Sequence, residues 1–182
     1  VVVMGEGDDT WPELARALET GSGLIDVLGI AVRNGAEVTQ TPARPLPKDL
    51  DRLPLPAYEL FGTGFGAPED SPATIASVHC SSARSALVLH SARGCHYGCN
   101  FCPESKRNGP IRSLSVNRFV EHIIHFYELW GARNFVFGDS LFTFDGKRTI
   151  AICQELAERA PGIQWSAMTR TDRIDPEILE VM

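Results

Sequence analysis

The sequence predicts an α/β fold: about three βα units of a partial parallel barrel, preceded by one strand, one helix and a hairpin, with a proline-rich connector between. Three observations carry this. From residue 85 onward, apolar runs of strand length alternate with stretches of helical periodicity. Seven of the twelve prolines fall between residues 41 and 72, where the pattern breaks. Ahead of them stands a single strand-turn-helix with no repeat of itself.

Val1 to Met4 form a continuous apolar run that reads as a buried strand. "GEGDD" turns into a helix with Thr10 as N-cap, Glu13 as its capping-box partner and Pro12 in the first turn. The helix should stop near Gly21 and Gly23. "LGIAVR" and "AEVTQT" flank Asn34-Gly35, a two-residue hairpin signal. Through "TPARPLPKDLDRLPLPAYEL" proline fixes φ and restricts its predecessors, so the chain is extended. Leu50, Leu53, Leu55, Tyr58, Leu60 and Phe61 within it argue for docking rather than a free tail.

"SALVLHS" is the first strand of the alternating part. Ser115 caps a helix in which Val116, Phe119, Val120, Ile123, Ile124, Tyr127 and Trp130 recur at helical spacing, ended by Gly131. "NFVFGD" is the second strand. Asp145 caps the next helix, with Ile150, Cys153, Leu156, Ala157 and Ala160 on one side. "QWSAM" is the third strand, and Asp175-Pro176 opens the third helix. Successive βα units imply parallel strands and right-handed crossovers. A complete βα barrel takes roughly 200 residues or more, so about half of one is expected here. The chain opens on a strand pattern and closes inside a helix pattern, and reads as a piece of a longer protein.

The 182 residues are 43% hydrophobic and 22% charged, with no apolar run of membrane-span length and no secretory leader at Val1. A formal charge of -6 gives no electrostatic reason to expect nucleic acid as a partner. Five cysteines, three of them clustered, do not make a disulfide scaffold, and free thiols point to a reducing compartment, the cytoplasm.

That cluster is "RGCHYGCNFCPES", with Cys95, Cys99 and Cys102. Structural zinc usually takes four ligands in two separated pairs, and no second pair follows. Bacterial ferredoxin runs have a different spacing and a fourth cysteine. Cys80 lacks supporting partners as a fourth ligand, and His96 adjoins Cys95 too closely. Three thiolates on a 4Fe–4S cluster would leave one iron for a ligand that is not protein. A zinc-stabilised, non-catalytic binding module using the same three cysteines is the alternative reading.

"CHYGCNFC" resembles the CxxxCxxC signature of the radical S-adenosylmethionine (SAM) superfamily, with an aromatic, Phe101, before the third cysteine. Its place after the first strand of a βα series matches the C-terminal face where barrel active sites lie. The resemblance implies an enzyme with a 4Fe–4S cluster on Cys95, Cys99 and Cys102. SAM would be chelated at the open iron and cleaved by one electron to a 5′-deoxyadenosyl radical. It further implies SAM contacts from Phe101, Asp139, Ser140 and Arg170. Relatives often carry two adjacent acids where Asp139-Ser140 stand, and Ser140 departs from that. For Asp139 a cap or turn role after its strand is the alternative, and for Arg170 a surface ion pair. Cys153 reads as packing, and His122 and His125 as part of a solvated helix face.

The front end resembles the junction of cobalamin-binding radical SAM enzymes. There the end of a Rossmann-like domain passes through a hairpin and a "dLDxLPxP" linker, here "DLDRLPLP", into the barrel. This divides the chain into 1–40, the end of that domain; 41–84, the linker; and 85–182, the first half of a radical SAM barrel. Gly5, Glu6 and Gly7 then lie near cobalamin, since small residues let backbone approach a large ligand. The implied reactions are cobalamin-dependent methyl transfer or radical oxidation and cyclisation. The substrate would be a small molecule, or a lipid-like or tetrapyrrole-like one, and the electron donor a flavodoxin or ferredoxin.

Overall fold

A computed structural model describes residues 1–58, 86–104 and 109–182. Leu60, Phe61 and Cys80 lie outside the described residues. Strands β1 (Val2–Val3), β2 (Ile30–Asn34) and β3 (Glu37–Gln40) form an antiparallel sheet in that order, with Val2 opposite Ala31 and Asn34 opposite Glu37. The expected burial of the first strand is not met. Val1 and Val2 are 57% and 62% exposed, because β1 is an edge strand with no described element against its outer face. The hairpin turn is also one residue later than expected, at Gly35-Ala36, since Asn34 still pairs with Glu37.

Helix α1 (Thr10–Thr20) ends at Gly21 in a left-handed conformation, as expected, but its start differs. Asp9 takes the N-cap position without a side-chain bond to the helix N–H groups, its carboxylate being held by Arg52, and the capping box does not form. The reason is tertiary. Arg44 donates from Nε to the Thr10 hydroxyl at 2.8 Å and pairs with Glu13 through Nη2, so both members of the box are taken. Leu14, Ala17, Val27 and Ile30 bury a small core under this unit.

The second sheet is parallel, in the order β4 (Leu87–Leu89), β7 (Asn134–Phe137), β8 (Gln164–Ala167). Between β4 and β7 a short antiparallel pair, β5 (Ala92–Arg93) and β6 (Arg112–Ser113), brackets the cysteine loop. Helices α2 (Val116–Trp130), α3 (Gly146–Arg159) and α4 (Pro176–Val181) follow. Ser115, Asp145 and Asp175 cap them by accepting the N–H of Arg118, Arg148 and Ile178, as the sequence suggested. These are the parallel βα units expected of the partial barrel.

Phe119, Val120, Ile123 and Phe126 of α2 are fully buried against Phe135 and Phe137 of β7 and Ile152 and Leu156 of α3. Each such side chain contributes about 1.5–3 kcal/mol. Trp165 stacks on Phe137 with ring centres 4.9 Å apart. Cys153 is buried here and its thiol is pushed up to about 11, consistent with packing. The connector does dock: Leu50 joins this core, Leu53, Leu55 and Tyr58 pack on it, and the Tyr58 hydroxyl donates to the Val88 carbonyl.

One expectation for α2 is corrected. His125 is exposed, but His122 is 5% exposed, because it shares the face of Phe119, Ile123 and Phe126. Its Nε2 is buried without a hydrogen-bond partner among the described residues. Burial, with Arg118 adding to it, lowers the imidazole to about 4 from its ordinary 6.5. The folded protein therefore holds His122 neutral where the unfolded chain protonates it. Its stabilisation is complete above pH 6.5 and is lost as pH falls toward 4. Urea unfolding at pH 4.5 should show about 2 kcal/mol less stability than at pH 7.5 from this group. His122→Gln should flatten that slope, and an unchanged slope would contradict the assignment.

Candidate functional site

The site begins where β4 ends. Asp139, just past β7 and 1% exposed, accepts from the Ser91 N–H at 2.7 Å and the Ala92 N–H at 3.0 Å. The Ser91 hydroxyl donates to its other oxygen. Burial pushes this carboxyl up, against the Ser91 and Ala92 donors that favour its charged form. Arg148 of α3 lies beneath, donating to Ser91 Oγ at 3.1 Å, to the Ser91 carbonyl at 3.0 Å and to that of Leu114 at 3.2 Å. The strand is thus turned by a buried polar knot into the cysteine loop. Gly94 follows at φ +90, and a Cβ there would lie 2.6 Å from the Pro110 carbonyl oxygen. Only glycine fits the neck of this loop.

Cys95, Cys99 and Cys102 are free and partly exposed. The Cys102 N–H donates to the Cys99 carbonyl at 3.1 Å, folding the loop so that the second and third cysteines sit one turn apart. Cys95 and Cys102 line a cavity of about 950 Å³ at the C-terminal ends of the parallel strands. Among the described residues no three His, Cys, Asp or Glu side chains converge as ligands of one ion. A single zinc demands such convergence. A 4Fe–4S cluster meets each cysteine at a different iron, so its three thiolates gather around one cube with wider spacing than the ligands of a single ion. The three thiols are free and close in sequence, and two of them, Cys95 and Cys102, open to the cavity, an arrangement that fits a cluster.

Other expected contacts are placed as follows. Ser140 lines the cavity, and its hydroxyl donates to Glu104 Oε2 at 2.8 Å. Asp139 does not line it; its hydrogen bonds go to Ser91 and Ala92, across to the end of β4 rather than to a local cap or turn. Phe101 is 91% exposed and outside the cavity wall. Arg170 is exposed and makes a two-point pair with Asp172 at 2.9 and 3.0 Å. Its guanidinium also lies 4.0 Å from the Tyr97 ring centre and 3.9 Å from Cys99 Sγ, so it meets the tip of the cysteine loop. Gly5 lies off the cavity, whereas Glu6 and Gly7 border it, with Trp11 packed so closely that a Cβ on Gly7 would be 2.6 Å from its ring.

Sequence reasoning did not single out Trp11, His90, Glu104 or Met168, which also line the cavity. Some signal existed for two of them. His90 and Met168 lie just beyond the ends of β4 and β8, where barrel chemistry gathers. Glu104 stands two residues after Cys102, and nothing in its neighbourhood marks it.

Comparison with known proteins matches residues 89–182 to the family model described as the radical SAM superfamily. The chain is 29% identical, over its whole length and 37% of the relative's, to "Uncharacterized methyltransferase PH0819" of Pyrococcus horikoshii. It is 27% identical, over 95% of its length and 30% of the relative's, to the anaerobic magnesium-protoporphyrin IX monomethyl ester cyclase of Rubrivivax gelatinosus. Among solved structures it matches the cobalamin-dependent SAM radical enzyme OxsB at 25% identity and TM-score 0.67, over 97% of this chain and 25% of that one. The radical SAM methyltransferase TsrM from Kitasatospora setae, solved with cobalamin and a [4Fe-4S] cluster, matches at 14% identity and TM-score 0.70, over 98% and 35%, and shows the shared fold. The chain thus spans about a third of the curated relatives it matches.

Proposed function

Because the chain belongs to the radical SAM superfamily, a superfamily of enzymes, we propose that Cys95, Cys99 and Cys102 hold a 4Fe–4S cluster and that the adjoining cavity receives SAM. When bound, the reduced cluster would supply one electron to the sulfonium, whose C–S bond would break to leave a thioether and a carbon radical for hydrogen abstraction. The chain's own residues place it. Asp139 and Arg148 fix the end of β4, Gly94 sets the neck, and Ser140 with Glu104 offers a hydroxyl and a carboxylate that suit an ammonium group. Arg170 sits beside Cys99, at the outer edge of the loop.

The reading extends to cobalamin and to the parent protein. Residues 1–40 close a cobalamin-type domain, 41–84 link it, and 85–182 begin the barrel. One observation carries this: the Glu6–Gly7 turn and the cysteine loop border the same cavity. Its volume suits ligands of cofactor size. The relatives, one named as a methyltransferase and one as a cyclase, support methyl transfer or radical oxidation and cyclisation on a small-molecule, lipid-like or tetrapyrrole-like substrate. A reduced flavodoxin or ferredoxin would supply electrons. Among the described residues no helix is long and apolar enough to cross a membrane, and free thiols suit the cytoplasm.

Anaerobic reconstitution of the full-length protein should load about four irons per chain. With reductant it should convert SAM to 5′-deoxyadenosine. Added cobalamin should bind, and S-adenosylhomocysteine appearing beside 5′-deoxyadenosine would mark methyl transfer. Colourless, air-indifferent protein with one zinc would overturn the reading.

A further inference from the structure

The cysteine loop leaves and rejoins the fold through two residues that face each other, Arg93 of β5 and Arg112 of β6. Like charges directly opposite across an antiparallel pair are destabilising. Here both guanidinium groups run into one turn of the N-terminal unit. Arg93 Nη1 lies 2.9 Å from Glu6 Oε2 and 2.6 Å from Asp8 Oδ2, with Nη2 3.0 Å from Asp8 Oδ1. Arg112 Nη2 lies 2.5 Å from Glu6 Oε1, and its Nη1 3.0 Å from Oε2 and 3.1 Å from the Pro47 carbonyl. Each arginine makes a forked, charge-assisted pair, and Glu6 bridges the two.

These groups are largely withdrawn from water. The Arg112 and Glu6 side chains are 8% and 14% exposed, those of Asp8 and Arg93 25% and 30%. Burial pushes the Glu6 carboxyl up, but its bonds to Arg112 and Arg93 more than reverse this and hold it below 4.5. The Arg93 bond likewise holds Asp8 below 3.8, against burial. The carboxylates therefore turn a repulsive neck into an attractive one. The arginines that receive them are 85 and 106 residues further along the chain, at the two ends of the excursion that carries all three cysteines.

We infer that the Glu6–Asp8 turn is a positioning element for the cysteine loop, closing its neck at Arg93 and Arg112 and thereby setting where Cys95 stands. Gly7, between the two acids, belongs to the cavity wall, as does Cys95. A ligand pressing on that turn is mechanically joined to the loop through two forked ion pairs. Only the spectroscopic part of the test rests on the proposed cluster.

The test compares the full-length protein with its Glu6→Gln/Asp8→Asn variant, which keeps shape and removes charge. In metal-free protein, amide hydrogen exchange at 92–95 and 112–114 should quicken about tenfold, while amides of α3 keep their rates. After reconstitution, the reduced protein's electron paramagnetic resonance signal should change in g-values. Arg93→Lys/Arg112→Lys keeps the charge without the fork and should fall between the two; it carries the test if the first variant does not fold. Equal exchange rates at the neck in all proteins, or faster exchange in α3 to the same degree, would overturn the inference. Faster neck exchange together with no iron uptake even in the unsubstituted protein would uphold the clamp and sink the cluster.

Discussion

Replacing any one of Cys95, Cys99 or Cys102 by alanine is expected to strip iron from the reconstituted protein and reduce 5′-deoxyadenosine formation more than about hundredfold. The scale follows from metal sites in general, where losing even an outer partner costs 10–100-fold and a direct ligand more. On the proposed reading each thiol would be the sole protein ligand of its own corner, and the loop offers no substitute: among the described residues Cys153 is the only other cysteine, buried in the face of α3. Cys153→Ala should keep iron and activity, at a modest packing cost. Iron analysis and product chromatography on the four variants check this. Retention of iron in a Cys95, Cys99 or Cys102 variant, or its loss in Cys153→Ala, would refute the ligand assignment.

Asp139→Ala should be the most destabilising change outside the apolar core, by about 3–5 kcal/mol. The carboxylate serves two backbone donors and one hydroxyl at 1% exposure. Its removal leaves the Ser91 and Ala92 N–H groups without an acceptor and takes from the buried Arg148 guanidinium the strongest of the three carboxylate charges acting on it, the others being Asp145 and Asp51. Asp139→Asn keeps one acceptor oxygen and should cost about half as much. Urea midpoints measure both. A loss below about 1 kcal/mol for the alanine variant would show that water or a neighbour takes over, and that Asp139 is free to serve a ligand instead.

Local signals were readable and distant ones were not. The caps at Ser115, Asp145 and Asp175 depend on a side chain and an N–H three residues away, so sequence sufficed. Thr10 and Glu13 satisfied the same rule, but Arg44, more than thirty residues on, took both. His122 was readable and misread: its spacing from Phe119 and Phe126 places it on the core face, and polarity argued otherwise. At the site, the triplet of cysteines was plain from spacing alone. The partners that hold it were hidden because Asp139 meets Ser91 from 48 residues away and Glu6 meets Arg112 from 106. No local pattern encodes such pairs.

The docked connector has a consequence for how two ligands would meet. Leu50 is part of the barrel's own core, Asp51 accepts the Ser115 N–H at 2.8 Å, and Arg118 holds the Leu53 carbonyl at 3.0 Å. A loose tether would let whatever rides on the front unit find the cysteine loop by random search. A segment built into the hydrophobic interior acts as a ruler, fixing their separation once, when the chain folds. Lengthening it by a residue between Leu50 and Tyr58 would alter that reach without touching a single atom of the reactive centre.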